Sequence, residues 1–440
     1  MYHIFVSTCI YSLQPWHALL YHHGRYECVD HRRRNCRAII GSWSQKSTEA
    51  SHTERQPLTH QQAGIPFRVF ERDESLSARS QGWAITIHWA LPYLKGLVGP
   101  EVLKAVDSVQ VDPAVGRNDN GNFLFLNLAT GETKYRIPPA ERRRVNREKL
   151  RGLLLKDVAD HVQWSKRLTS VEPTERGIKV VFEDGTSATG SLVVGCEGSN
   201  SVVRKSLCPN NYRNEQLPIR FLGAGIDMTP QQVSPLRSLD PLLFQGCHPD
   251  TGCFLWVSML EVPEINGTAG TDHERYRVQI NLSWPVRTAD DEVKSSPTEQ
   301  IRDMKRRAAV FAPVLRDAVQ LIPESAEILE IKLADWPCPS WDNYGAKATL
   351  LGDAAHAMTM YRGEAANHGL LDAFNLYHAL ERIHKGEQTQ DEAINQFEEE
   401  MRTRTSRAVL MSRQACYDAH DWERLDENSA VLAKRAITVT

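Results

Sequence analysis

From Ala63 onward the chain alternates short apolar runs with stretches of helical period, whereas before Ala63 neither strand nor helix period persists. Phe67-Arg68-Val69-Phe70 opens after the turn Gly64-Ile65-Pro66 and closes on Glu71-Arg72-Asp73, and predicts a strand. Within residues 86–97, Ile87, Leu91 and Leu94 recur at helical spacing. Within residues 144–155, Leu150, Leu153 and Leu154 share a face with Val145. Both stretches predict helices. Asp184-Gly185, between the run 178–182 and its return, is the strongest hairpin signal in the chain. The fully apolar run 192–195 predicts a buried central strand of a parallel sheet, and Thr349-Leu350-Leu351-Gly352 predicts another buried strand. Between them, residues 210–340 alternate in strand fashion, with helices from about Thr298. Beyond Asp391 a charged helix carries Phe397, Met401 and Val409 as its apolar stripe. The fold class that follows is α/β.

Composition narrows this little. With 440 residues, 41% hydrophobic and 24% charged, the chain has ordinary globular material for two domains or one elaborated domain. A formal net charge of -3 supplies no global attraction to nucleic acid or anionic lipid. The runs Arg32-Arg33-Arg34 and Arg142-Arg143-Arg144 are expected to be solvated faces. Nine cysteines without regular spacing describe no disulfide framework. Cys28 and Cys36, near His22, His23 and His31, match no zinc pattern, so no metal is expected. No run is apolar enough to span a membrane: residues 4–20 come nearest and are interrupted by Gln14, Pro15 and His17. The expected setting is cytoplasmic, with a small-molecule partner and no nucleic acid; nothing specifies an oligomeric state.

The chemistry concentrates at strand ends. Leu350-Leu351-Gly352-Asp353-Ala354-Ala355-His356 continues into Tyr361-Arg362-Gly363-Glu364-Ala365-Ala366-Asn367-His368-Gly369. A buried strand there runs into a small-residue loop and then a helix start near Asn367. Such a junction lets backbone N–H groups approach a diphosphate while an Asp accepts from a sugar-alcohol hydroxyl. Val193-Val194-Gly195-Cys196-Glu197-Gly198-Ser199-Asn200-Ser201 also ends a strand on an acid and a glycine, with Arg204 following. Glu71 closes its own strand, where an acid suits two vicinal ribose hydroxyls.

Taken in order, these segments resemble class A FAD-dependent monooxygenases, the aromatic hydroxylases, over roughly residues 63–440. The resemblance implies that Asp353 binds the ribityl chain of FAD and that Ala366 lies against the isoalloxazine or its linker. It implies that Glu197 serves the diphosphate in place of the family's Asp, and that Glu71 holds the adenosine ribose. Gly82 and Ala84, in Gln81-Gly82-Trp83-Ala84, match positions passing close to the flavin, and Arg147 matches an arginine placed on FAD. No catalytic side chain is singled out. His88 is expected to be a core histidine rather than a substrate contact.

The implied organisation is a Rossmann-like FAD-binding part at 63–210 and 341–385, a mixed-sheet substrate part at 211–340 and C-terminal helices at 386–440. The implied reaction is monooxygenation of an aromatic or polyene secondary metabolite by a flavin C4a-hydroperoxide, with NADPH or NADH as co-substrate. A non-catalytic remnant of the same fold, binding a ligand or partner, is the alternative.

One part of the pattern is missing. Strand one with its G-x-G-x-x-G loop belongs roughly 15–25 residues before the ribose-binding acid. That zone here, residues 41–56, holds one glycine and no aliphatic run, and Pro57 would break the following helix. Strand one and the loop are therefore expected to be absent. Residues 1–62 are expected to be disordered or mis-translated, through a shifted frame, a retained intron or a misplaced start, and FAD retention is expected to be poor.

Overall fold

A computed structural model of the chain defines residues 64–78, 83–119, 123–137 and 141–433, together with the backbone of Ile4–Thr8. Two sheets organise it. The first has five strands, all paired in parallel, in the order Ala348–Leu350, Leu192–Cys196, Ile4–Thr8, Phe67–Glu71, Val162–Gln163. Leu192–Cys196 and Ala348–Leu350 are buried at every position, as strands covered on both faces must be.

The slot for strand one is filled. Ile4–Thr8 pairs with Leu192–Cys196 on one side and Phe67–Glu71 on the other, so the expected absence of this strand is corrected. Ile4, Phe5 and Val6 are residue types that favour strands. They escaped the sequence search because residues 9–66 separate them from the next strand, far more than the usual spacing. The glycine-rich loop is another matter: the sequence after Thr8 runs Cys9-Ile10-Tyr11-Ser12-Leu13, and its first glycine is Gly24. The rest of the expectation for residues 1–62, with the cluster around Cys28 and Cys36, lies outside the described residues.

The second sheet has seven strands in the order Ile328–Glu330, Ile219–Met228, Tyr276–Pro285, Phe254–Glu261, Leu243–Cys247, Phe123–Asn127, Thr133–Ile137. It draws on the chain before residue 211 as well as after it. Only the contact of Leu243–Cys247 with Phe123–Asn127 is parallel. Alternation sends Leu222, Ile280, Val257 and Phe244 into a core shared with Ile301, Met304, Leu315 and Val319 of the helices Pro297–Arg307 and Pro313–Gln320. The other face carries Gln245, Ser258, Gln279, Asn281 and Ser283, which are polar and yet buried.

Two of the predicted helices begin too early. Residues 84–87 form the strand Ala84–Ile87 before the helix Leu91–Leu97, and residues 143–146 form the strand Arg143–Asn146 before the helix Arg147–Leu155. The two strands pair antiparallel, with Ala84 opposite Asn146 and Thr86 opposite Arg144. Non-local pairing overrides the local helical spacing. Arg142-Arg143-Arg144 is consequently no solvated face: Arg142 and Arg144 are 8% and 4% exposed.

The hairpin at Asp184-Gly185 forms, between Gly177–Phe182 and Ser187–Gly190. The last long helix, Gln390–Asp418, buries Phe397, Met401 and Val409 as their spacing predicts. Its Phe397 and Met401 belong to the core around the first sheet, and its Ala415 and Cys416 to the core around the second. Among the described residues no helix is long and apolar enough to cross a membrane, and no group of three His, Cys, Asp or Glu side chains could hold a metal ion.

Candidate functional site

Parallel strands end on one edge, and the three acids read from the sequence stand along it. Glu71 ends Phe67–Glu71, Glu197 follows Leu192–Cys196, and Asp353 comes three positions after the end of Ala348–Leu350. Thr8 is in register with both Glu71 and Cys196, and Gly195 with Leu350, so the strand ends that carry the three acids lie close to one height. With strands about 4.8 Å apart, the edge from Asp353 to Glu71 covers roughly 14 Å.

Their surroundings differ. Glu71 is fully buried, accepts from the Asp73 N–H at 3.0 Å and lies 4.0 Å from the Arg151 guanidinium. Glu197 is turned inward: Oε1 accepts from the N–H groups of Val202 and Val203, and Oε2 accepts from Ser201 Oγ at 2.6 Å. It caps the helix Val202–Leu207, so both of its oxygens are already engaged. Asp353 is the exception. Among the described residues no hydrogen bond or ion pair reaches its carboxylate. Burial pushes its pKa up, against the pull of His356, Arg147 and Arg204. Arg147, whose charge is felt at Asp353, opens a helix whose start is held by Asn146, its side chain accepting from Glu148 N and Lys149 N. One turn on, Arg151 serves Glu71. Its spacing from Arg147 was a readable signal that the sequence reading passed over.

Behind Asp353 lies a buried network. Asp372 Oδ2 accepts from the Gly352 N–H at 3.0 Å and from His356 Nε2 at 2.5 Å, while Oδ1 accepts from Arg404 at 2.6 Å. Burial would raise the Asp372 pKa, but His356 and Arg404 together hold it well below the ordinary carboxylate range. Arg404 also donates to His368 Nδ1 at 2.8 Å. A guanidinium only donates, so His368 carries its hydrogen on Nε2. Asp372, eight residues into the helix Ala365–His384, fixes the strand end that presents Asp353.

The start of that helix is equally constrained. Gly363 adopts φ 63°, which glycine tolerates, and the cap residue Glu364 makes no side-chain capping bond, leaving first-turn N–H groups beside Ala365 and Ala366 open. Asn367, fully buried, accepts from the His88 N–H at 2.9 Å and donates to the Thr86 and Gly363 carbonyls at 3.0 and 3.1 Å. It thereby pins Ala84–Ile87, which carries Ala84, against the helix start. His88 is 9% exposed and its ring contacts the Gly363 carbonyl, in keeping with a core role. Gly82 lies outside the described residues. Asn367→Ala would strand several buried backbone groups at about 1–3 kcal/mol each. A loss of about 2–4 kcal/mol in denaturant-measured stability is expected, with weaker FAD binding.

The residues present fit an elongated flavin dinucleotide. A half-buried carboxylate without an internal partner, an uncapped helix start among small residues and a neighbouring arginine supply what a ribityl chain and a diphosphate require. Comparison with known proteins gives the same chemistry. A family model described as FAD binding domain matches residues 147–412. A protein of Arthroderma benhamiae named "Probable FAD-dependent monooxygenase" is 41% identical over 84% of this chain and 90% of its own length. FAD-dependent monooxygenase dbaB of Emericella nidulans is 44% identical over 71% of this chain and 79% of its own. The crystal structure of a Klebsiella pneumoniae HpxO variant complexed with FAD superposes with TM-score 0.67 at 17% identity, over 96% of this chain and 91% of that one. Matched by that domain over more than half of its length and by relatives above 40% identity, the chain belongs to the FAD-dependent monooxygenases.

Proposed function

We propose that this monooxygenase takes its electrons from NADPH or NADH and oxygenates an aromatic or polyene secondary metabolite at the buried polar face of the seven-stranded sheet. The observation that carries this reading is Asp353, a desolvated carboxylate with no partner of its own, at the carboxyl edge of a parallel sheet. In this reading Asp353 accepts from the ribityl hydroxyls. The open N–H groups beside Ala366, with Arg147, face the diphosphate, and Glu71 with Arg151 holds the adenosine end. Ala84 and Gly82 pass close to the ring system. Glu197 acts indirectly, by setting the start of its helix. The flavin, once reduced, supplies the activation of O2; the chain's own residues orient the ring, exclude water and place the substrate.

The domain division proposed is a cofactor part built on the five-stranded sheet and a substrate part built on the seven-stranded one. The sequence before Glu71 contains no G-x-G-x-x-G, so in this reading diphosphate binding falls on the helix start and the arginines. Purified chain mixed with FAD and separated from free flavin should keep a flavin spectrum. It should then oxidise NADPH or NADH faster when an aromatic substrate is present. A version with a restored glycine-rich loop should retain FAD more tightly. No flavin retention by either chain would sink the reading.

A further inference from the structure

The arginine run at 142–144 points to how the substrate is recognised. Arg142 is paired with Asp119 at 2.7 Å and Arg143 with Asp107 at 2.7 Å. Among the described residues Arg144, 4% exposed, has no carboxylate partner. Its guanidinium donates only to two hydroxyls, Thr86 Oγ1 at 3.0 Å and Ser258 Oγ at 2.8 Å, and its Nε–H is unpartnered. An uncompensated buried cation costs several kcal/mol unless an anion joins it. Burial, and then the like charge of Arg142, push its pKa down to about 9.

What surrounds Arg144 is also unfinished. Ser258 places the guanidinium on the polar face of the seven-stranded sheet, 5.7 Å from the Trp256 ring centroid. Trp256 sits in a cross-strand row with Gln245, Asn281 and Gly223. Gln245 is 0% exposed and neither its Oε1 nor its Nε2 has a partner; Asn281 Oδ1 has none either. A buried amide left unpaired is destabilising unless a bound group supplies its missing partner. Trp83 overhangs the end of the row: a Cβ on Gly223 would come within 2.5 Å of both its ring and Asn281 Oδ1. Trp83, Thr86 and Trp256 are only half-buried, so the row opens between the sheet and the strand Ala84–Ile87.

We propose that Arg144, Gln245 and Asn281 form the substrate-recognition row, and that they select a planar aromatic anion: a carboxylate, or a phenolate conjugated to a carbonyl. Arg144 takes the anionic oxygen. Gln245, with one free donor and one free acceptor, pairs with an adjacent carbonyl and hydroxyl. The two tryptophans flank the ring. This rests on the monooxygenase reading and deepens it by naming the substrate class and the residues that choose it.

Calorimetric titration of the FAD-loaded chain tests it with three probes: salicylate, phloroacetophenone and fully O-methylated phloroacetophenone. One or both acidic probes should bind at least tenfold more tightly than the neutral ether, and which of them does so identifies the anion. Arg144→Gln should remove that preference. Arg144→Lys, which keeps the charge should the first variant fold poorly, should retain part of it, and Gln245→Leu should weaken phloroacetophenone more than salicylate. Flavin absorbance should be unchanged in all three variants, so loss of flavin reports failure of the cofactor reading instead. Equal binding of acid and ether by the unaltered chain, or an acid preference that survives Arg144→Gln, overturns the proposal.

Discussion

Asp372→Asn will lower the stability of the chain by about 3–5 kcal/mol, the cost of breaking a buried ion pair from one side. The carboxylate is fully buried and receives His356, Arg404 and the Gly352 N–H at once. An amide keeps one acceptor for three donors, and its own N–H groups find no acceptor on Arg404 or Gly352 N, which only donate. Arg404 would be left with Glu400, on its own helix, as its remaining acid. Equilibrium unfolding in urea reads the effect, and a change below about 1 kcal/mol would show that the network is slack. FAD binding should weaken in parallel, because Gly352 is the residue that sets Asp353 in place.

Asp353→Ala should show the opposite signature. Among the described residues its carboxylate makes no hydrogen bond or ion pair, and burial disfavours its charge, so removing it should leave the flavin-free chain as stable as before, or slightly more so. Binding of FAD should fall by about 1.5–3 kcal/mol, roughly ten- to a hundredfold, the worth of a charge-assisted hydrogen bond. Fluorescence titration with FAD measures the second effect and urea unfolding the first. A variant that loses stability while keeping its flavin affinity would reassign Asp353 to the scaffold. The contrast with Asp372, on the same motif, separates a residue kept for a ligand from one kept for the fold.

The sequence disclosed these sites unequally. Strand ends were legible because buried parallel strands are uninterrupted apolar runs, and Gly352-Asp353 and Cys196-Glu197 follow such runs directly. Strand one was hidden because the search assumed a short connection, whereas Ile4–Thr8 lies across residues 9–66 from its neighbour. Ala84–Ile87 and Arg143–Asn146 carry helical spacing locally, and the bonds that make them a ribbon come from each other, far apart along the chain. Glu197 was assigned from its position alone. Its carboxylate is spent on its own helix, which only coordinates could reveal. Arg144 was grouped with its neighbours as surface charge, because a run of arginines carries no mark of which members have acids waiting for them.

The helix Gln390–Asp418 has a further consequence. At 29 residues it is roughly 43 Å long, and it is rooted in the core of each sheet at opposite ends. Such a strut forbids the two halves from swinging apart like jaws. Any opening between the sheets would have to pull one end of this helix out of its core, exposing apolar side chains such as Met401 or Cys416 to water.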